Sequence, residues 1–245
     1  MSERWIQDHR RDSWKRQAKE EGYRARSAWK LKQIHEKHGL IREGDNVLDV
    51  GCHPGGWAQV AVELSGSKGI VIGVDLMPCI PVEGAKLIVG DITEKETQKK
   101  ILEELEEQPL NVIVSDISPH ITGNWSTDQA VSLDLVLDVL DFSLPLLCAG
   151  GSFVTKIFQG VGVDELLDVL KPHFSKVRRF SPEASRNSSS EVYVVCRNHK
   201  PWLSSSISLK DKWEEAVNRL DGDNSDEEES GSHIGFRVVR KSEEV

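Results

Sequence analysis

The chain has 245 residues, 38% of them hydrophobic and 29% charged, which is enough for one sizeable domain and too little for two. No apolar run reaches the about 20 residues of a bilayer crossing. The charged start from Met1 to Trp5 has no secretory apolar stretch, so the expectation is a cytoplasmic chain without membrane contact. The net charge of −9 argues against nucleic acid until its distribution is seen, because six acids, Asp221, Asp223, Asp226, Glu227, Glu228 and Glu229, fall in one short run.

In chain order, residues 1–22 are polar and carry no strong period, and they read as a basic N-terminal arm. Eleven lysines and arginines lie between Arg4 and Lys37, interleaved with Trp5, Trp14, Tyr23 and Trp29. Such a segment can neutralise phosphates and stack on bases. Equally, it can be a solvated helix face that its aromatics anchor to a core. Ser27 to His38 reads as a helix, with Ala28, Leu31 and Ile34 recurring at its period and Gly39 as its stop.

An alternation of strands and helices follows. Asn46–Val50, Gly69–Asp75, Lys86–Val89, Leu110–Ser115 and Gly151–Lys156 read as buried strands. Helices are expected over Trp57–Leu64, Glu94–Glu107, Thr127–Leu147 and Val163–Leu170, and two last strands over Lys176–Phe180 and Glu191–Cys196. Continuous apolar strands separated by helices predict an α/β fold with a mostly parallel sheet covered on both faces. The expected domain runs over 23–200. Residues 201–245 then form an extension with a helix at Lys210–Leu220, an acidic disordered linker and a strand-like piece at Phe236–Val239. Cys52, Cys79, Cys148 and Cys196 make no C-x-x-C and are expected as free thiols. His35, His38, His53 and His120 share no ligand spacing, so no metal is expected.

Asp49-Val-Gly-Cys-His-Pro-Gly-Gly-Trp57 joins the first strand to its helix, where open α/β sheets bind ligands. Gly51 permits a tight turn, Gly55 and Gly56 permit close approach to the backbone, and the helix N-terminus adds a positive dipole end. The spacing departs from G-x-G-x-x-G, which weakens a nicotinamide reading. Asp75 ends the second strand, placed to accept from a ribose diol. Asp91 follows the third, placed to accept from an adenine amino group.

Five motifs in order resemble the FtsJ/RrmJ (RlmE) family of ribose 2′-O-methyltransferases, in an archaeal-type form. They are the loop above, Tyr23-Arg-Ala-Arg-Ser-Ala-Trp-Lys30, Val114-Ser-Asp116-Ile-Ser-Pro119, Gly150-Gly-Ser-Phe-Val-Thr-Lys156 and Arg186-Asn-Ser-Ser-Ser-Glu191-Val-Tyr193, within a match from about Trp14 to Arg197. The resemblance implies a Rossmann-like S-adenosylmethionine-dependent methyltransferase fold with a seven-stranded sheet whose last strand runs antiparallel. It implies a catalytic tetrad of Lys30, Asp116, Lys156 and Glu191. It also implies S-adenosylmethionine contacts at Gly55, Trp57, Asp75, Asp91 and Asp116. The implied reaction is 2′-O-methylation of a uridine ribose in large-subunit rRNA, within the assembled or assembling 50S subunit, by a monomer. A tRNA ribose acceptor and a ribosome assembly factor with secondary methylation are the alternatives. Two departures stand out: Cys52-His53 where alanines are common, and an acidic tail after about Lys200.

A ribose hydroxyl is a poor nucleophile, so transfer needs it aligned and relieved of its proton. Lys156 and Asp116 end apolar strands on the ligand edge, and Lys156 is the expected base. Lys30 and Glu191 rest on the resemblance.

Overall fold

The computed structural model describes residues 13–185, 191–201 and 208–223. Trp5, Arg10, Arg11, most of the acidic run and Phe236–Val239 lie outside them. Helices α1 (13–20) and α2 (Ser27–His38) lead into the alternation β1 (Val47–Val50), α3 (Gly56–Ser65), β2 (Val71–Asp75), β3 (Ala85–Val89), α4 (Lys95–Leu105), β4 (Leu110–Ser115), α5 (Trp125–Ser143), β5 (Leu147–Phe158) and α6 (Val163–Leu170). The order ends with β6 (Phe174–Phe180), β7 (Glu191–His199) and α7 (Leu209–Asp223).

The seven strands form one sheet in the order β3-β2-β1-β4-β5-β7-β6, parallel except where β7 meets β5 and β6. One face packs α2 and α3 through Leu31, Ile34, Trp57 and Val60 against Val47, Val154 and Val195. The other packs α4 to α7 through Ile101, Leu137, Leu166 and Trp213 against Leu48, Ile113 and Phe153. This is the doubly covered α/β sheet that the unbroken apolar strands predict. None of the helices among the described residues is long and apolar enough to cross a membrane.

Boundaries differ from the sequence reading for local reasons. Helix α5 stops at Ser143 and passes into a 3₁₀ turn, Leu144–Leu146, because Pro145 has no N–H to continue the ladder. Strand β5 starts four residues early, at Leu147, and its register on β4 shifts between Leu110 and Val112. Helix α7 joins the second core: the Trp213 indole donates to the Gly162 carbonyl at 2.9 Å, and Lys210 pairs with Asp134 at 2.6 Å and Asp138 at 3.0 Å.

At the other end, the aromatics among the described residues of the basic segment serve as anchors. Trp14 and Tyr23 pack on Trp29 at 5.6 and 6.0 Å, Lys32 lies over both Tyr23 and Trp29, and the Tyr23 hydroxyl donates to Glu63. All four cysteines are free; Cys52 and Cys196 are buried, and burial pushes both thiols up.

An acidic side chain sits wholly inside the sheet. Asp49 on β1 is fully buried, and neither carboxylate oxygen completes a hydrogen bond. Burial, then the charges of Asp116 and Asp75, push its carboxyl well up, with only the Ala58 backbone N–H opposing. The unfolded chain releases this proton near about pH 3.9, so the folded state loses stability as pH rises above that value. Asp49→Asn, neutral at every pH, is expected to raise the melting temperature at pH 7 and to flatten its decline above pH ~4. A uniformly lower melting temperature would show Asp49 to be ionised and partnered.

Candidate active site

Neighbours β2 and β4 lie on opposite sides of β1, and the chain leaves β1 and β4 in opposite directions around the sheet, which opens a crevice at their carboxyl ends. The loop after β1 closes against the loop after β4. Gly51, at φ 78°, is required there, since a Cβ would sit 2.7 Å from the Ile117 Cα. Beyond Gly51 the chain turns through a cis His53–Pro54 peptide into α3.

A cavity of about 280 Å³ occupies this crevice, lined by Gly51, His53, Asp75, Met77, Asp91 and Asp116 among others. The Asp75 carboxylate accepts from the backbone N–H of His53 at 2.9 Å and of Met77 at 2.8 Å, one bond per oxygen. This fixes the group in the cavity wall with acceptor capacity to spare. Asp91 uses Oδ1 for the Thr93 N–H and hydroxyl at 2.9 and 2.8 Å.

Two expected contacts stand elsewhere. Gly55 and Trp57 do not line the cavity. The space over Gly55, where its φ of 107° demands glycine, is taken by the Arg24 side chain, 2.9 Å from where a Cβ would lie, and Gly56 faces Ala25. Arg24 donates to the Pro81 carbonyl at 2.5 Å and also to that of Ile80. The glycine pair therefore admits the chain's own N-terminal segment. Trp57 is buried, donates to the Ser27 carbonyl at 2.7 Å and packs its ring 5.7 Å from that of Tyr193.

Lys30, Asp116, Lys156 and Glu191 come together from α2, the end of β4, β5 and the start of β7, and of the four Asp116 lines the cavity. Lys156 is buried, and its Nζ donates to the Asp116 carbonyl at 2.8 Å and pairs with Asp116 Oδ1 at 3.3 Å. Lys30 is also buried and pairs with Glu191 Oε2 at 3.2 Å. Between the two pairs stands Tyr193, which the tetrad omits. Its hydroxyl donates to Asp116 Oδ1 at 2.7 Å and accepts from Lys30 Nζ at 3.1 Å.

Burial, then the Asp116 charge, hold the Tyr193 phenol well above its ordinary value, so it remains a neutral donor. The sequence signal for Tyr193 was its place two residues after Glu191, on the same face of a strand. In register on β7 it lies directly across from Lys156. Asp128 was also missed. It accepts from the Thr122 N–H and hydroxyl at 2.8 and 2.7 Å and from the Gly123 N–H at 3.1 Å, which orders the loop after Asp116. The Thr122 hydroxyl bond, the largest influence on it, holds its carboxyl below the usual range.

An amine anchored on a carboxylate that lines a cavity walled by two further acids suits proton removal beside a bound nucleoside-like ligand. Comparison with known proteins agrees. The sequence model of the FtsJ-like methyltransferase family matches residues 23–199. The chain is 43% identical over 211 residues to the ribosomal RNA large subunit methyltransferase E of Methanosarcina mazei, covering 86% of this chain and 77% of that protein. The protein of the same name from Coxiella burnetii is 41% identical over 198 residues, covering 79% and 93%. A crystal structure assigned as a ribosomal RNA methyltransferase of Plasmodium falciparum superposes with a TM-score of 0.66 at 29% identity, covering 72% of this chain and 98% of that one. With the α/β sheet, the crevice and the motif order all in agreement, the chain belongs to the FtsJ-like methyltransferase family.

Proposed function

We propose that this protein transfers a methyl group from S-adenosylmethionine to the 2′-hydroxyl of a uridine ribose in large-subunit rRNA. The observation that carries the reading is the linkage of Lys30, Glu191, Asp116 and Lys156 through one tyrosine hydroxyl, with Asp116 itself in the cavity wall. The names of its relatives supply the acceptor class.

The residues suit the donor. Asp75, pinned by two backbone amides, has the spare acceptor sites that a ribose diol needs. Asp91, engaged through Oδ1, has Oδ2 to receive an adenine amino group. Exposed Leu76 and Met77 supply apolar cover beside them. When bound, the donor supplies a methyl carbon already activated by its sulfonium.

Everything else falls to the chain. A neutral lysine amine has two N–H groups and one lone pair. In that form, with both N–H groups on Asp116, Lys156 would present its lone pair to the proton of the ribose hydroxyl. As the ribose oxygen takes the methyl carbon and the donor leaves as its neutral thioether, Lys156 Nζ would receive the hydroxyl proton. Asp116 positions the amine, Tyr193 fixes the Asp116 carboxylate, and Lys30 with Glu191 fixes the tyrosine.

Tritiated methyl transfer to intact large subunits, free large-subunit rRNA and tRNA, followed by mapping of 2′-O-methyl groups, tests the acceptor. Label on tRNA alone would overturn the rRNA reading, and tighter binding of NAD than of S-adenosylmethionine in calorimetry would overturn the donor. In Lys156→Ala the transfer rate is expected to fall by about 100-fold or more while S-adenosylmethionine binding persists. Near-normal turnover would remove Lys156 as the base. In Tyr193→Phe, kcat is expected to drop with donor affinity and RNA KM unchanged, and unfolding free energy to fall by about 1–3 kcal/mol, since Lys30 and Asp116 each lose a buried partner. An unchanged kcat would make the tyrosine structural only.

A further inference from the structure

A second cavity, of about 360 Å³, lies away from the crevice, and its lining is cationic. Lys37 and His38 come from the end of α2, Lys176 and Arg178 from β6, and Arg197 and Asn198 from β7, with no carboxylate among the lining residues. In a chain of net charge −9 this is a deliberate imbalance. Several surface cations elsewhere do have partners: Lys68, Lys86, Lys99, Lys100 and Lys171 each pair with a glutamate or aspartate. Arg179, the neighbour of Arg178 on the opposite face of β6, pairs with Asp164 at 2.5 Å. Among the described residues Lys37, Lys176 and Arg178 have no such partner.

The field of these cations registers on their neighbours. Burial, then Arg197, Lys37 and Arg178, hold the His38 imidazole below its ordinary value. Burial and then Arg42 lower Arg197, and Asp45 opposes them. The Asp45 carboxylate accepts the Arg42 backbone N–H at 2.7 Å. Arg197 is held in place by bonds from Nη1 to the carbonyls of His38 and Gly39, which close the end of α2.

Position ties the cavity to the reaction centre. In the sheet register Phe180 faces Tyr193, Arg178 faces Val195, and Lys176 faces Arg197. Side chains two apart on a strand share a face, so the cations continue the row that Tyr193 begins. Arg197 lies four residues from Tyr193, about 14 Å along the strand. Lys37 lies two turns beyond Lys30 on one side of α2. A cationic row at this distance is too far for the acceptor nucleotide itself and suits the backbone of the strand that leads to it. Charges on an edge strand also discourage strand addition, but that role needs neither a cavity nor cations from α2 and β7.

We propose that Lys37, Lys176, Arg178 and Arg197 form a phosphate-binding groove that holds the RNA backbone several nucleotides away from the methylated ribose. The groove rests on the reading of the protein as an RNA methyltransferase. It is independent of base identity, because phosphate contacts position a nucleic acid without reading it.

The test compares the full chain with Lys176→Ala/Arg178→Ala, both exposed, and with Lys99→Ala/Lys100→Ala, which removes the same charge from α4. Binding of a fluorescein-labelled RNA hairpin is measured by anisotropy over a series of KCl concentrations, with matching thermal melts. The β6 double variant is expected to bind on the order of tenfold more weakly and to lose about 1.4–1.8 from the slope of log affinity against log salt, two phosphates' worth. The α4 variant should match wild type. With large-subunit rRNA as acceptor, KM should rise and kcat stay constant. Equal affinity and slope for wild type and the β6 variant would overturn the groove while leaving the methyltransferase reading intact. The groove would also fall if the α4 variant were equally weakened, or if the β6 variant lost binding to phosphatidylserine vesicles and not to RNA. Wild type that binds no RNA yet binds S-adenosylmethionine would overturn the groove together with the RNA acceptor.

Discussion

Strand β7 runs against the rest of the sheet, so its first residues stand at the edge where β1, β4 and β5 finish. That single reversal places Glu191 and Tyr193 beside Asp116 and Lys156 without a loop reaching over the cleft. A parallel β7 would present His199 there and bury the glutamate at the opposite edge. The register then does the rest. Lys156 opposite Tyr193 brings an amine and a phenol onto the same face, and α2 covers that face with Lys30. Rigid strands hold these groups more closely than loops do, which suits a reaction limited by alignment.

Two lysines buried in one place carry a desolvation cost that only close partners offset. Lys30 and Lys156 are 7% and 5% exposed, and each has a carboxylate within 3.3 Å. The neutral tyrosine lets the two pairs share one network without adding charge. Truncating any member removes a contact from another, so loss of activity and loss of stability are coupled here. Asp49, close to Asp75 and Asp116, has no such partner, and burial, then the charges of those two acids, push its carboxyl well up.

The loop after β1 shows glycines serving close approaches within the chain. Gly51 is needed for the Ile117 backbone and Gly55 for Arg24, both parts of the same chain. The basic segment behaves similarly: Trp14 and Tyr23 pack on Trp29, and Lys32 lies over two of these rings. In both places packing within the chain uses residues whose types also suit a ligand. The unbalanced cations occur instead where three separate elements meet, at the end of α2 and along β6 and β7.

What the sequence determined by itself was the alternation of apolar strands and helices, the loop after β1 and the acids that end β2, β3 and β4; the resemblance also named four residues, Lys30, Asp116, Lys156 and Glu191, that the fold brings together. These are local patterns, and a period or a strand end is visible within a few residues. It determined the end of α5 only loosely, although Pro145 was there to mark it. The tertiary structure alone decided the placement of β7 between β5 and β6, the junction at Tyr193, the turn of Trp57 away from the cavity, the docking of α7 through Trp213, and the cationic groove. Each of these depends on strand order and cross-strand register, which bring residues 30, 116, 156 and 193 together across long stretches of chain, and no local pattern encodes that distance.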